Sequence, residues 1–191
     1  MFVKICGITN QEDALAAVGM GAKALGFIFV ESSPRAVKPE ALKEWISSIP
    51  RDIWRVGVFV DTPASRMEQI SAELRLDVVQ LHGAETPADH PNLPRIWKAF
   101  RIQPQFEIPW TYPAEALLLD GPGGGKQFDW SKCTGTTRHF LLAGGLDETN
   151  VADAVRRVRP WGVDVASGVE AVPGRKDHTR MKKFIEAALS Q

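Results

Sequence analysis

Eight short apolar runs, spaced along the whole chain, limit its fold more than any other feature. They are Phe2 to Ile5, Ala24 to Val30, Trp54 to Val60, Val78 to Leu81, Ile96 to Phe100, Ala116 to Leu119, Phe140 to Ala143 and Gly162 to Ala166. Continuous apolar strands, buried on both faces, are what a parallel sheet covered by helices requires. Eight of them, alternating with helical patterns, predict an α/β protein of the closed (β/α)8 TIM-barrel type. An open doubly wound sheet gives the same alternation and stands as the alternative.

The intervening segments carry helix signals. Thr9 can cap a first helix, with Glu12 completing a capping box and Ala14, Leu15 and Val18 supplying an apolar face. Pro39 opens a second helix, with Leu42, Trp45 and Ile46 on one side. Thr62 and Pro63 open a third, with Met67, Ile70 and Leu74 at helical spacing. Late in the chain Asp147 can cap a helix facing inward through Val151, Ala154, Val155 and Val158. Asp177 can cap the last, with Met181, Ile185, Ala188 and Leu189 as its face.

The middle differs. Pro87, Pro91, Pro94, Pro104, Pro109 and Pro113 crowd residues 84–94 and 101–115, which argues against long helices. Helices four and five are therefore expected to be short or irregular. That economy is needed, since the chain has 191 residues and such barrels typically take about 250. No repeat or linker divides it, so one compact domain over 1–191 is expected.

Charge excludes some partners. Lys plus Arg is 23 and Asp plus Glu is 23, with no basic block. Binding to nucleic acid or to an anionic membrane surface is not expected. No apolar stretch reaches the roughly 18 residues of a membrane span. The two cysteines, Cys6 and Cys133, make no disulfide scaffold, and the four histidines have no metal-site spacing. The chain opens directly on a strand, without signal-peptide architecture, and a cytoplasmic protein is expected. Oligomeric state is left at monomer or homodimer.

In a barrel, chemistry sits where strands run out into the following loops. Cys6 ends the first run, where a thiolate can take a proton from carbon; it is equally a residue type found in cores. Asp120 closes the wholly apolar Leu117-Leu118-Leu119 and can act as acid or base, or cap a loop. Arg35, in Ser32-Ser33-Pro34-Arg35 after the second run, can grip a carboxylate or phosphate, or lie on the surface. Gln80 and His82 end the fourth run, and a structural imidazole is at least as good a reading of His82 as a catalytic one. Asp164, inside the last run, is expected to bond within the barrel.

Glycine-bearing loops follow the last three runs. They are Gly121-Pro122-Gly123-Gly124-Gly125-Lys126, then Gly144-Gly145, then Ser167-Gly168. Each alone can be a tight turn, but together they suggest a backbone cradle for an anion. The first is not a nucleotide P-loop, because Gln127 stands where Ser or Thr is required. Phe128-Asp129-Trp130 is expected to anchor that loop, and Cys133 to be structural.

As an ordered set, these residues resemble the phosphoribosylanthranilate isomerase family of tryptophan biosynthesis. The blocks are Val-Lys-Ile-Cys-Gly-Ile-Thr at 3–9, Ser33-Pro34-Arg35, Gly57 to Val60, Val79 to Gly83, Leu118 to Asp120, Phe128 to Trp130, Leu142 to Leu146, Asp164 to Glu170 and Pro173 to Asp177. The resemblance implies a cofactor-free, metal-free (β/α)8 barrel. Its reaction is an Amadori rearrangement of N-(5-phosphoribosyl)anthranilate to 1-(2-carboxyphenylamino)-1-deoxyribulose 5-phosphate. By motif, the general base falls on Cys6, the general acid on Asp120 and the anthranilate carboxylate on Arg35. The phosphate falls on the loops at Gly144, Gly145, Ser167 and Gly168, and Gln80 and Gly123 are expected to touch substrate. One departure is Gly124, where the family usually has threonine.

Two rival readings are another phosphate-binding barrel isomerase or synthase and a non-catalytic barrel that binds a phosphorylated metabolite. A synthase resembling the thiamine-phosphate enzymes needs a divalent metal, and no acidic cluster stands at the strand ends.

Overall fold

The computed structural model describes residues 1–122, 128–133 and 135–191. Eight strands close into a barrel: β1 (Phe2–Cys6), β2 (Ala24–Ile28), β3 (Trp54–Phe59), β4 (Val78–Leu81), β5 (Ile96–Arg101), β6 (Ala116–Asp120), β7 (Phe140–Leu142) and β8 (Gly162–Val165). Every neighbouring pair is parallel, and β1 pairs with β8 as well as with β2. That last pairing rules out the open sheet. All eight expected runs are strands that start where expected, with C-terminal ends shifted by at most two residues. Gly123, with residues 124–127 of the glycine-rich loop, lies outside the described residues.

Alternation along each strand sorts the side chains. Val3, Ile5, Leu25, Phe27, Leu117 and Leu119 face outward into the large core beneath the helices. Ala24, Val56, Val78, Trp97, Ala99, Ala116 and Leu118 form a second cluster inside the barrel. Small residues there leave room for Trp97, which is fully buried and fills the lower barrel. On β1 the same alternation turns Lys4 and Cys6 to one side, two residues apart.

Among the described residues, five helices surround the barrel: α1 (Gln11–Gly19), α2 (Pro39–Lys43), α3 (Ala64–Leu74), α4 (Val151–Val158) and α5 (His178–Leu189). The cap of α1 is Asn10 rather than Thr9; its side chain accepts a hydrogen bond from the Asp13 amide at 2.9 Å. Thr9 instead donates to the Gly174 carbonyl. With that shift α1 buries Asp13, Ala14 and Ala17 and leaves Leu15 exposed. The residue before α4 is Asn150 rather than Asp147, and its side chain makes no capping bond; Asp147 holds the preceding turn by accepting from the Thr149 amide. Asp177 caps α5 as expected, accepting from the amides of Thr179 and Arg180. That helix buries Phe184, and Leu189 is exposed.

The proline-rich middle has the predicted economy. Only a 3₁₀ turn, Pro87–Asp89, follows β4, and the described residues between β5 and β6 hold no helix. Among the described residues of the sixth connection there is a 3₁₀ turn at Trp130–Cys133. A two-stranded antiparallel hairpin, β9 (Glu170–Val172) with β10 (Arg175–Lys176), lies between β8 and α5. Among the described residues no helix is long and apolar enough to cross a membrane.

Candidate active site

The C-terminal ends of the strands surround a cavity of about 230 Å³. Cys6, Arg35, Gln80, Asp120, Gly144, Gly145, Ser167 and Gly168 all line it, together with His82 and Asp164. Every described residue expected at a site from the sequence therefore reaches one space. Cys133 does not; it is buried, and burial pushes its thiol up to about 12, which suits a structural role.

Cys6 ends β1 with the sulfur packed against Gly26 of β2. A Cβ on Gly26 would lie 2.7 Å from the Cys6 sulfur and 3.0 Å from Lys4 Nζ. The missing side chain leaves room for the ammonium and the thiol to approach one another inside the barrel, where the Lys4 charge acts on the sulfur. Lys4 is fully buried and its Nζ lies 2.8 Å from Asp164 Oδ1. Burial pushes the Cys6 thiol above its ordinary value; the Lys4 charge opposes this, and the Asp164 charge adds to it. The resting base is thus a thiol with a cation beside it. Burial alone would lower Lys4, but Asp164 and Cys6 raise it overall, so the ammonium is retained.

Asp120 faces the cavity from the end of β6. The imidazole Nε2 of His82 lies 3.4 Å from Asp120 Oδ2, and Gln80 Nε2 lies 3.3 Å from His82 Nδ1. This chain of three side chains favours a structural or orienting imidazole over a lone catalytic one. Gln80 is fully buried, and its Oε1 has no hydrogen-bond partner among the described residues. A buried acceptor of this kind is costly unless a ligand supplies the donor.

Two further tethers shape the rim. Glu85 and Lys98 pair at 2.6 Å with both side chains buried. Glu85 also accepts from the amides of Asp61 and Gly83, at 2.8 and 2.9 Å, fixing the turn that carries His82. Arg35 lays Nε and Nη2 on the two carboxylate oxygens of Glu170, at 2.8 and 2.6 Å. Lys176 reaches the same carboxylate at 3.0 Å. Burial would raise Glu170, yet Arg35 and Lys176 outweigh it and hold the carboxyl below its usual range.

The glycine turns after β7 and β8 are close-packed backbone. Gly144 and Gly145 both have positive φ, 78° and 68°. A Cβ on Gly144 would sit 1.9 Å from the Gly121 amide nitrogen, and one on Gly168 would sit 2.0 Å from the Leu146 carbonyl oxygen. Glycine is required at both for the three late loops to converge.

Lys4, Glu170 and Lys176 were not among the expected site residues. A lysine within an apolar strand was the one signal for Lys4; Glu170 and Lys176, buried in a hairpin whose other residues are mostly exposed, had none. A closed parallel barrel with a thiol, a carboxyl and a guanidinium at its C-terminal mouth, beside a glycine cradle, defines an enzyme of acid–base chemistry on a small anionic substrate.

Comparisons with known proteins agree. The family model described as N-(5'phosphoribosyl)anthranilate (PRA) isomerase matches residues 3–187. The N-(5'-phosphoribosyl)anthranilate isomerase of Solibacter usitatus is 46% identical over 196 residues, covering 98% of this chain and 97% of its own. The crystal structure of the phosphoribosyl anthranilate isomerase of Thermotoga maritima superposes with a TM-score of 0.91 at 39% identity, with both chains covered completely. A structure of such an isomerase in complex with reduced 1-(o-carboxyphenylamino)-1-deoxyribulose 5-phosphate superposes with a TM-score of 0.87 at 37% identity, again with both chains covered completely. The chain belongs to the phosphoribosylanthranilate isomerase family.

Proposed function

We propose that this chain isomerises N-(5'-phosphoribosyl)anthranilate to 1-(o-carboxyphenylamino)-1-deoxyribulose 5-phosphate, as a one-domain enzyme of the cytoplasm. The observation that carries the reading is the shared cavity. A thiol from β1 and a carboxyl from β6 enter it from different strands, and the glycine turns after β7 and β8 border it. Acid and base so separated address opposite ends of a reacting unit.

Asp120 donates a proton to the ribose ring oxygen as the bond from that oxygen to the anomeric carbon breaks. The anilino nitrogen supplies the electron pair and becomes an iminium. Cys6, as thiolate, removes the proton from the neighbouring carbon, and the freed pair forms the enolamine. Ketonisation adds a proton at the former anomeric carbon and releases one from the hydroxyl.

The Lys4 ammonium stabilises the thiolate that this step needs. His82 holds Asp120, Gln80 accepts from a sugar hydroxyl, and Arg35 takes the anthranilate carboxylate. The turns at Gly144-Gly145 and Ser167-Gly168 hold the phosphate, whose remote binding energy orients the reacting carbons. A thiol base also fits a reducing compartment.

The test is loss of substrate fluorescence when the protein meets freshly generated N-(5'-phosphoribosyl)anthranilate, with and without chelator. Rapid conversion that chelator does not slow is expected. Folded protein that leaves the fluorescence unchanged overturns the reading.

A further inference from the structure

The guanidinium of Arg35 is only part-way free. Its Nε and Nη2 edge is forked on Glu170, which leaves Nη1 and the remaining Nη2 proton for a ligand in the cavity that Arg35 lines. A second carboxylate must therefore bind a guanidinium that already has one. Left as a pair, Arg35 and Glu170 have no net charge to offer it.

Lys176 changes that balance. It sits on β10, and its side chain is fully buried. Its Nζ lies 2.7 Å from the Cys6 carbonyl oxygen, 3.2 Å from the Ala166 carbonyl oxygen and 3.0 Å from Glu170 Oε1. All three partners are acceptors, and an ammonium has three donors to give. Glu170 Oε1 also accepts from the Gly174 amide at 3.3 Å, so the hairpin turn and β10 both hold it. Gly7 closes the other side: a Cβ there would lie 2.7 Å from Arg35 Cδ. Arg35 is thereby held in one pose between the end of β1 and the hairpin.

We propose that Lys176 is a positioning and specificity residue: through Glu170 it aims Arg35 and leaves the three-residue cluster with one positive charge, matched to one carboxylate of the substrate. The same ammonium ties the carbonyl of the base residue to the end of β8, so substrate grip and base share a reference point. This inference rests on the reading that Arg35 takes the anthranilate carboxylate.

The test compares two phosphorylated ligands by calorimetry: the reduced product analogue, and its phenylamino counterpart lacking the carboxylate. The wild-type chain is expected to prefer the first, and the Arg35→Met variant to lose that preference. Lys176→Met is expected to weaken the carboxylated ligand by about tenfold or more and leave the other unchanged. The double variant Glu170→Gln with Lys176→Met again has one positive charge and is expected to recover most of that loss.

Should Lys176→Met fail to fold, the double variant alone decides, by keeping or losing the preference. Equal weakening of both ligands, or no recovery in the double variant, overturns the inference. If the wild-type chain itself shows no preference, the role assigned to Arg35 fails first and the inference falls with it.

Discussion

Lys4 and Asp164 meet at 2.8 Å inside the barrel, Nζ to Oδ1, beside the Cys6 sulfur. A buried ion pair is weak evidence of stability, because desolvation offsets the attraction. Its value here is chemical, since the ammonium faces the thiol that must lose its proton. Lys4→Met is expected to lower kcat on the order of 10²-fold, the scale of removing one preorganised charge donor. Because it strands Asp164, the cleaner variant is Lys4→Met with Asp164→Asn. Near-normal kcat in that folded double variant would sink the assignment.

Cys6 titrates above its ordinary value because burial outweighs the Lys4 charge. The free enzyme at neutral pH therefore carries mostly thiol. Alkylation by iodoacetamide needs the thiolate, so its rate at Cys6 should climb steadily with pH and show no plateau below pH 9, the unperturbed thiol value. Removing Lys4 takes away the lowering influence and should slow the reaction at every pH. Mass-mapped labelling separates Cys6 from buried Cys133. A plateau near neutrality would show that the thiolate is the resting form.

Gly26 tests the same contact sterically. Gly26→Ala places a methyl 2.7 Å from the Cys6 sulfur and 3.0 Å from Lys4 Nζ. Overpacking of this kind costs about 1–3 kcal/mol, and here the strain falls on the base and its cation. Turnover should drop by more than affinity for the reduced product analogue does. Unchanged kcat with a lowered Tm would make Gly26 a packing residue only.

Much of this arrangement was legible in the residues. Eight apolar runs gave eight strands because strands buried on both faces need no polar alternation. Prolines in 84–94 and 101–115 foretold the missing helices. Cys6, Arg35 and Asp120 were legible because they stand at strand ends. Lys4 was not, since alternation on β1 became meaningful only once the barrel closed and put Asp164 across from it. Glu170 and Lys176 were hidden for a related reason. Their burial comes from the hairpin folding over the mouth, which no periodicity announces. The cap of α1 was misplaced by one residue because Thr9 and Asn10 both cap well, and Gly174 draws Thr9 away.

Cys6→Ala and Asp120→Asn separate base from acid. Each should lower kcat by about 10²–10⁴, the range of general acid–base catalysis, with circular dichroism unchanged. Both variants should still bind the reduced product analogue, because neither substitution touches Arg35 or the glycine turns. Normal turnover in either would remove that residue from the mechanism.

Acid sensitivity should originate in the buried carboxylates. Burial would raise Glu85, but the Lys98 hydrogen bond and the Asp61 amide hold it below its unperturbed value of 4.5. Asp13 is also held low, against the effect of burial, by the Lys176 amide, Asn10 and His178. A carboxyl depressed in the folded state stabilises the fold above its unfolded value and loses that contribution as pH falls through its folded value. Urea midpoints should therefore show no loss from these two groups between pH 7 and pH 5.5 and should fall below about pH 4.5. Glu85→Gln leaves Lys98 without its buried partner and should cost about 3–5 kcal/mol at neutral pH. Its acid limb should be shallower than that of the wild type, since one of the protons that drive unfolding is gone. An identical acid slope in the variant would move the origin of acid sensitivity away from Glu85.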